Sequence, residues 1–319
     1  MARSTPVMLA FSDFSTRGVR PAMWMDSVWR ELKLWRKVPL GPVSLRFRLE
    51  RAIRLTWVPE RRFKVRSAAS HVLVHDLAAG TQARRRQVAV IVGVGPGFGY
   101  ALARHLASED FDVVLTSRDA RRHAGLVEEL AGTGARAVCY GADATDERSI
   151  AELFDRIESM HGAPDLVVYA VQRFGPGEVV DVEVEAFEAA WRHNCLGAFV
   201  VGRRAARTMR ARGRGTIVFV GSTSSLVGRA GHLNLSVGKF GLRAIAQVMA
   251  RELWPSGVHV AHAVVDADIA EDGDDPAEPR RSNPDHIAMS ILGIHRQPRT
   301  AWTSELDLRP YDERFWEHC

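Results

Sequence analysis

From residue 87 onward the chain alternates between two hydrophobic rhythms. Short apolar runs rich in β-branched residues predict strands at 88–92, 112–116, 136–140, 165–169, 215–220 and 258–265. Between them, apolar side chains recur every three or four positions. This predicts helices after the first run (Ala101, Leu102, Leu106) and at 119–131, 146–160, 184–211 and 233–254. A run that is apolar at every position, such as Val88–Val92, suits a strand covered on both faces. The alternation therefore predicts a Rossmann-like α/β fold: a doubly wound parallel sheet with helices on both faces and right-handed crossovers.

Residues 1–84 keep neither rhythm. Met25, Val28, Leu32 and Trp35 are spaced for one short amphipathic helix at 22–37, ringed by Arg30, Lys33, Arg36 and Lys37. Val43, Leu45, Phe47 and Leu49 then alternate as in one strand. Charge separates the two parts. The first 86 residues carry 18 basic and six acidic side chains, the rest 25 and 32, so the whole-chain net of +5 combines +12 with −7. Such an arm fits a membrane-surface helix, a nucleic-acid arm or a solvated extension without chemistry of its own. The last is preferred. No nucleic-acid partner is then expected, and membrane contact by residues 22–37 is the minor alternative. The expected domains are a basic, Trp/Arg-rich extension at 1–84 and an α/β domain at 85–319. Cys139, Cys195 and Cys319 form no C-x-x-C pair, and no apolar stretch approaches the ~18–20 residues of a membrane span. With no secretory leader pattern, a cytoplasmic protein with reduced thiols and no metal site is expected.

Candidate chemistry begins where the first strand ends. Val88–Val92 runs into Gly93-Val94-Gly95-Pro96-Gly97-Phe98-Gly99, and a helix follows. Strand, glycine turn and helix together make a phosphate-binding context. Gly93 turns the chain, Gly97 lets backbone approach a pyrophosphate, and Gly99 permits close packing, while the helix N-terminus supplies positive potential. Gly95 and Phe98 belong to the same cradle. The second strand ends in Thr116-Ser117-Arg118, where an NAD site normally places an acidic residue on the ribose hydroxyls. Arg118 suits a 2′-phosphate instead, favouring NADP over NAD. After the third strand, Asp143 either accepts from an adenine amino group or caps the helix beginning near Asp146.

These features resemble the short-chain dehydrogenase/reductase family over about residues 86–310. Its G-x-x-x-G-x-G turn matches Gly93, Gly97 and Gly99. Trp191-Arg192-His193-Asn194-Cys195-Leu196-Gly197 is similar to the family helix whose Asn organises a water and the Lys. Gly221-Ser222-Thr223-Ser224-Ser225 follows a strand, and Lys239 lies on the next helix. The resemblance implies hydride transfer between a nicotinamide cofactor, NADP or NAD, and a small carbonyl, alcohol or enoyl substrate. Ser222, Lys239 and Asn194 would be the catalytic set. Cofactor contacts would come from the turn and from Ser117, Arg118, Asp143, Ala170, Lys239 and Val265. In the family a Tyr stands four residues before the Lys, and a Ser thirteen before that Tyr. Position 222 is Ser, but position 235 is Leu. The family Tyr exchanges a proton with the substrate oxygen. Leu235 has none to exchange.

His232, seven residues before Lys239, stands where the enoyl-reductase branch of the family places its Tyr. It reads first as a surface or capping residue and second as a replacement acid. Tyr169-Ala170-Val171-Gln172 replaces the family's Asn-Asn-Ala-Gly, with Tyr169 expected to pack, and Val265-Asp266 replaces Pro-Gly. The resemblance is strongest to an atypical classical-type subgroup that keeps a G-[AV]-G-P-G-x-G turn and the Lys, with an apolar residue for the Tyr. The ending, His295–Thr303 and Glu305–Pro310, is similar too and implies a last strand at the sheet edge. Acidic residues between 266 and 278 occupy the place of the family's mobile substrate loop. A solvated loop is the plainer reading, and a loop that favours cationic or neutral substrates is the functional one. Two functions are carried forward: an NADP-preferring oxidoreductase with an altered proton donor, and an NAD(P)-binding pseudoenzyme acting as scaffold or redox sensor. By the same resemblance, helices 184–211 and 233–254 pack between subunits of a homodimer or homotetramer.

Overall fold

The computed structural model describes residues 86–266, 268–269 and 281–313, all within the second of the two units into which the chain divides, Ala83–Cys319. The helix and strand expected at 22–37 and 43–49 lie outside these residues, as does most of the acidic stretch after Asp266.

Seven strands form one parallel sheet: β1 (Gln87–Val92), β2 (Phe111–Ser117), β3 (Ala137–Gly141), β4 (Leu166–Tyr169), β5 (Gly215–Gly221), β6 (Val258–Val265) and β9 (Glu305–Leu308). Their order is β3-β2-β1-β4-β5-β6-β9, while β7 (Asp268–Ile269) and β8 (Arg281–Ser282) pair separately. The chain winds outward from β1 to β3, then returns to the other side of β1 through β4. At such a switch point the carboxyl ends of the strands leave a crevice.

Alternation along β1 assigns the two layers. Ala89 and Ile91 join a cluster with Leu102, Leu106, Ile287 and Ile291, on helices α1 (Phe98–Ser108) and, numbered in chain order, α7 (Pro284–His295). Val88, Val90 and Val92 join the opposite cluster with Phe154, Val201, Met209 and Leu242. That layer holds α3 (Glu147–Met160), α5 (Gly197–Arg212) and α6 (Leu233–Leu253). The expected strands and the edge strand β9 are all present.

Three helical expectations change. The 119–131 stretch opens as a 3₁₀ turn, Ala120–His123, because the Asp119 side chain caps it by accepting from Arg121 N at 3.2 Å; α2 (Ala124–Gly132) follows. The long 184–211 helix is α4 (Val184–Trp191), a π turn at Arg192–Leu196, and then α5. Finally, α7 was not anticipated. Its start signals are Asn283, which accepts from Asp285 N at 2.8 Å, and Pro284 in the first turn. It docks on α1 through His105 Nε2–Asp285 Oδ1 at 3.3 Å and Arg296–Glu109 at 2.5 Å.

Candidate functional site

The crevice at the strand ends is a cleft of ≈ 1490 Å³. This exceeds the ~300–1,000 Å³ usual for one small ligand. One wall is the turn from β1 into α1. Gly93 adopts φ +91, and a Cβ there would meet Val171 backbone N at 2.7 Å, so only glycine fits. No described side chain caps the first turn of α1; Tyr100 N donates to Gly95 O at 3.2 Å, which leaves the amides of Phe98 and Gly99 for a ligand. Gly93, Gly95, Phe98 and Gly99 line the cleft; Gly97 does not, and serves as the N-cap residue of α1.

The ends of β2 and β3 extend this wall. Ser117 Oγ donates to Asp119 O at 3.0 Å and accepts from Asp119 N at 3.1 Å, shaping the loop that presents Arg118. Arg118 is exposed and forms no ion pair among the described residues. Arg122, which the sequence reading passed over, lines the same wall, with Nε 3.6 Å from Asp119 Oδ2. Asp143 lines it as well, its Oδ1 accepting from Thr145 N at 2.8 Å and Thr145 Oγ1 at 2.9 Å. The helix cap is Asp146, accepting from Arg148 N and Ser149 N, so the capping alternative for Asp143 is not realised.

The opposite half is built around α6. Lys239 is 1% exposed, and its Nζ donates to Val171 O at 3.2 Å and Val220 O at 2.9 Å, tying the segments after β4 and at the end of β5 together. Burial pulls its pKa down to about 7. Asn194 is fully buried in the π turn and does not line the cleft. Its Oδ1 accepts from Arg173 N at 3.0 Å and its Nδ2 donates to Arg173 O at 2.7 Å, fixing the chain beyond β4. At Gly238, beside Lys239, a Cβ would lie 2.4 Å from Asn194 Cβ, so α6 presses directly on the π turn. Leu235 faces the cleft one turn before Lys239, and Ala170 and Val265 line it at the ends of β4 and β6. Ser222 Oγ is buried without a hydrogen-bond partner, as are His232 Nδ1 and two nitrogens of Arg229. Arg229 carried no signal in sequence beyond that of a loop arginine. Tyr169 is packed away from the cleft as expected, fully buried and donating to His193 O.

Comparison with known proteins gives this arrangement its family. The short chain dehydrogenase family matches residues 87–271. The chain belongs to that family. Among the relatives of this chain is sorbitol-6-phosphate 2-dehydrogenase of Escherichia coli, 29% identical over 177 residues, covering 54% of this chain and 68% of the relative. A crystal structure of a short-chain dehydrogenase from Rhodopseudomonas palustris superposes with TM-score 0.64 at 32% identity, covering 70% of this chain and 99% of the other. A metagenomic short-chain oxidoreductase in complex with NADP superposes with TM-score 0.62 at 27% identity, covering 70% and 97%. Among the described residues no helix is long and apolar enough to cross a membrane. The same residues contain no cluster suited to a metal ion.

Proposed function

We propose that the protein is an NADP-preferring oxidoreductase acting on a small carbonyl/alcohol or enoyl substrate, of the atypical kind in which an apolar residue, here Leu235, replaces the usual Tyr. The observation that carries this reading is one cleft holding both an uncapped α1 N-terminus and the buried Lys239–Ser222 pair of positions. The residues fit a dinucleotide. Backbone donors of α1 would hold the pyrophosphate, Arg118 and Arg122 would face the 2′-phosphate, and Asp143 would stand at the adenine end. Ala170, Val265 and Lys239 would line the nicotinamide end. Bound there, NADP supplies hydride chemistry; the chain supplies position. Ser222 Oγ offers its unpartnered hydroxyl to a substrate oxygen, and Asn194 acts indirectly by fixing the Arg173 backbone. The complex of NADP with the metagenomic relative supports the choice of cofactor.

Titration of the full chain with NADPH and NADH tests the reading first, and failure of both to bind ends it. Single-turnover assays with carbonyl and enoyl substrates follow. Hydride transfer that disappears in Lys239→Ala supports the enzyme. Tight NADPH binding with no transfer to any substrate supports the pseudoenzyme reading that Leu235 motivates. A homodimer or homotetramer is part of the proposal, since Trp191, Phe199, Phe240 and Val248 leave apolar surface on α4, α5 and α6. Light scattering of the purified chain decides it, and a monomer at micromolar concentration would remove it.

A further inference from the structure

The segment between β5 and α6 lines the cleft with Ser222, Thr223, Arg229 and His232. It is distinctive because its polar atoms are left open. Among the described residues, Ser222 Oγ, Thr223 Oγ1, His232 Nδ1 and both Nε and Nη2 of Arg229 are buried and have no hydrogen-bond partner. Arg229 matters most among these. A guanidinium stays charged at any pH the protein meets, and buried unpaired donors on a charged group are costly.

Nε and Nη2 are adjacent donors along one edge of the planar guanidinium, spaced to take both oxygens of a carboxylate or two of a phosphate. Among the described residues the same edge is used twice elsewhere. Arg104 holds Glu129 with Nε–Oε1 at 2.7 Å and Nη2–Oε2 at 3.0 Å. Arg243 holds Glu305 with Nε–Oε2 at 2.7 Å and Nη2–Oε1 at 2.8 Å. Arg229 turns that edge to no carboxylate, and no ion pair among the described residues includes it. Among the described residues, Asp266 feels its charge, and Glu313 lines the same cleft. Asp266, however, is ion-paired with Arg309, which also holds Asp307 at 2.8 Å.

We propose that Arg229 anchors an oxyanion of the substrate, a carboxylate or a phosphate monoester, so that the substrate is an anionic carbonyl or alcohol compound. That the anchored molecule is a substrate rests on the oxidoreductase reading; the anion site itself does not. The assignment runs against the expectation of an acidic loop favouring cationic or neutral substrates. Asp266, the member of that stretch whose side chain is described, already has its cation.

Calorimetry on the full chain, with and without saturating NADPH, tests this with two matched pairs. One is 2-oxobutanoate against 2-oxobutanamide; the other is dihydroxyacetone phosphate against dihydroxyacetone. The anionic member of at least one pair binds about tenfold or more tightly, the scale of one charge-assisted pair of hydrogen bonds. Which pair shows it separates carboxylate from phosphate. Arg229→Gln abolishes the preference and Arg229→Lys keeps part of it, with thermal midpoints read alongside to show that both variants fold. Equal affinity within both pairs overturns the proposal, and absence of binding by all four probes counts as equality. A preference that survives Arg229→Gln overturns it too. Anion preference without NADPH binding would sink the oxidoreductase reading alone, and NADPH binding without anion preference would sink the anchor alone.

Discussion

The two walls of the cleft differ in how they treat polar groups. On the β1–β3 wall, side chains close their hydrogen bonds within the wall: Ser117 with Asp119, Asp143 with Thr145, Asp146 with Arg148 and Ser149, and Tyr100 with His123. What that wall leaves open is backbone at the start of α1, together with the solvent-facing guanidinium of Arg118. On the β5–α6 wall the open groups are buried side-chain atoms of Ser222, Thr223, His232 and Arg229. Backbone donors at a helix start will hold any phosphate, so they suit a shared cofactor. Buried side-chain donors impose shape and charge on their partner, because leaving them unpaired is penalised. On the proposed reading, selectivity for the substrate would belong to the second wall.

The largest effect should come from restoring what the second wall lacks. Leu235→Tyr places a phenol one helical turn from Lys239, and positioned proton transfer is typically worth about 10²–10⁴-fold. Single-turnover oxidation of NADPH by a reducible carbonyl should rise on that scale. A native rate already equal to the variant's would mean that another group, with His232 the described candidate, supplies the proton. On the first wall, Gly93→Ala forces a Cβ against the Val171 backbone at a φ of +91. Overpacking and the disfavoured φ together should cost about 2 kcal/mol or more, read as a lower denaturant midpoint. An unchanged midpoint would show that the turn can relax, and would weaken the fixed-cradle description.

A smaller, selective effect tests whether the first wall reads charge. Arg118→Ala should weaken NADPH binding by about tenfold while leaving NADH nearly untouched, since only NADPH carries the 2′-phosphate. Equal losses for both cofactors would remove Arg118 from that role. Arg122→Ala should show the same selectivity at lower amplitude, because its Nε already faces Asp119 at 3.6 Å.

The same contrast explains what sequence could disclose. Strands β1, β2, β4, β5 and β6 were legible because burial on both faces favours apolar runs such as Val88–Val92 and Ile217–Val220, which in β6 are interrupted only by His259 and His262. The β1–α1 turn was legible because its chemistry is local, set by glycines a few residues apart. The β5–α6 wall is non-local. Arg229 gains meaning from burial and from Asp266 being taken by Arg309, neither of which leaves a spacing in sequence. The π turn escaped for a related reason. Apolar periodicity runs through residues 184–211 without a break, and the extra residue shows only where Asn194 turns inward to Arg173 and Gly238 makes room. In contrast, α7 did carry signals, Asn283 and Pro284, but they sit directly after an acidic stretch that reads as loop.

Lys239 belongs to neither wall alone, since its Nζ donates to carbonyls at the ends of both β4 and β5. Burial holds its pKa at about 7, against roughly 10.4 for an ordinary lysine. Between those values the unfolded chain keeps a proton that the folded protein has released, so stability should rise with pH across the interval. One proton contributes at most about 1.4 kcal/mol per pH unit. The contribution is least offset by other buried groups between pH 7 and about 7.5, below the range in which unfolded thiols ionise. The histidines whose pKa burial lowers, His123, His259, His262 and His295, act below their ordinary value. The thiols of Cys139, pushed up to about 11, and of Cys195, also raised by burial, oppose the rise at higher pH, once unfolded thiols ionise. Urea midpoints should therefore climb in the native protein over that interval and stay flat in Lys239→Met. Parallel curves would mean that Lys239 remains charged despite its burial, and that the two carbonyls hold an ammonium rather than an amine.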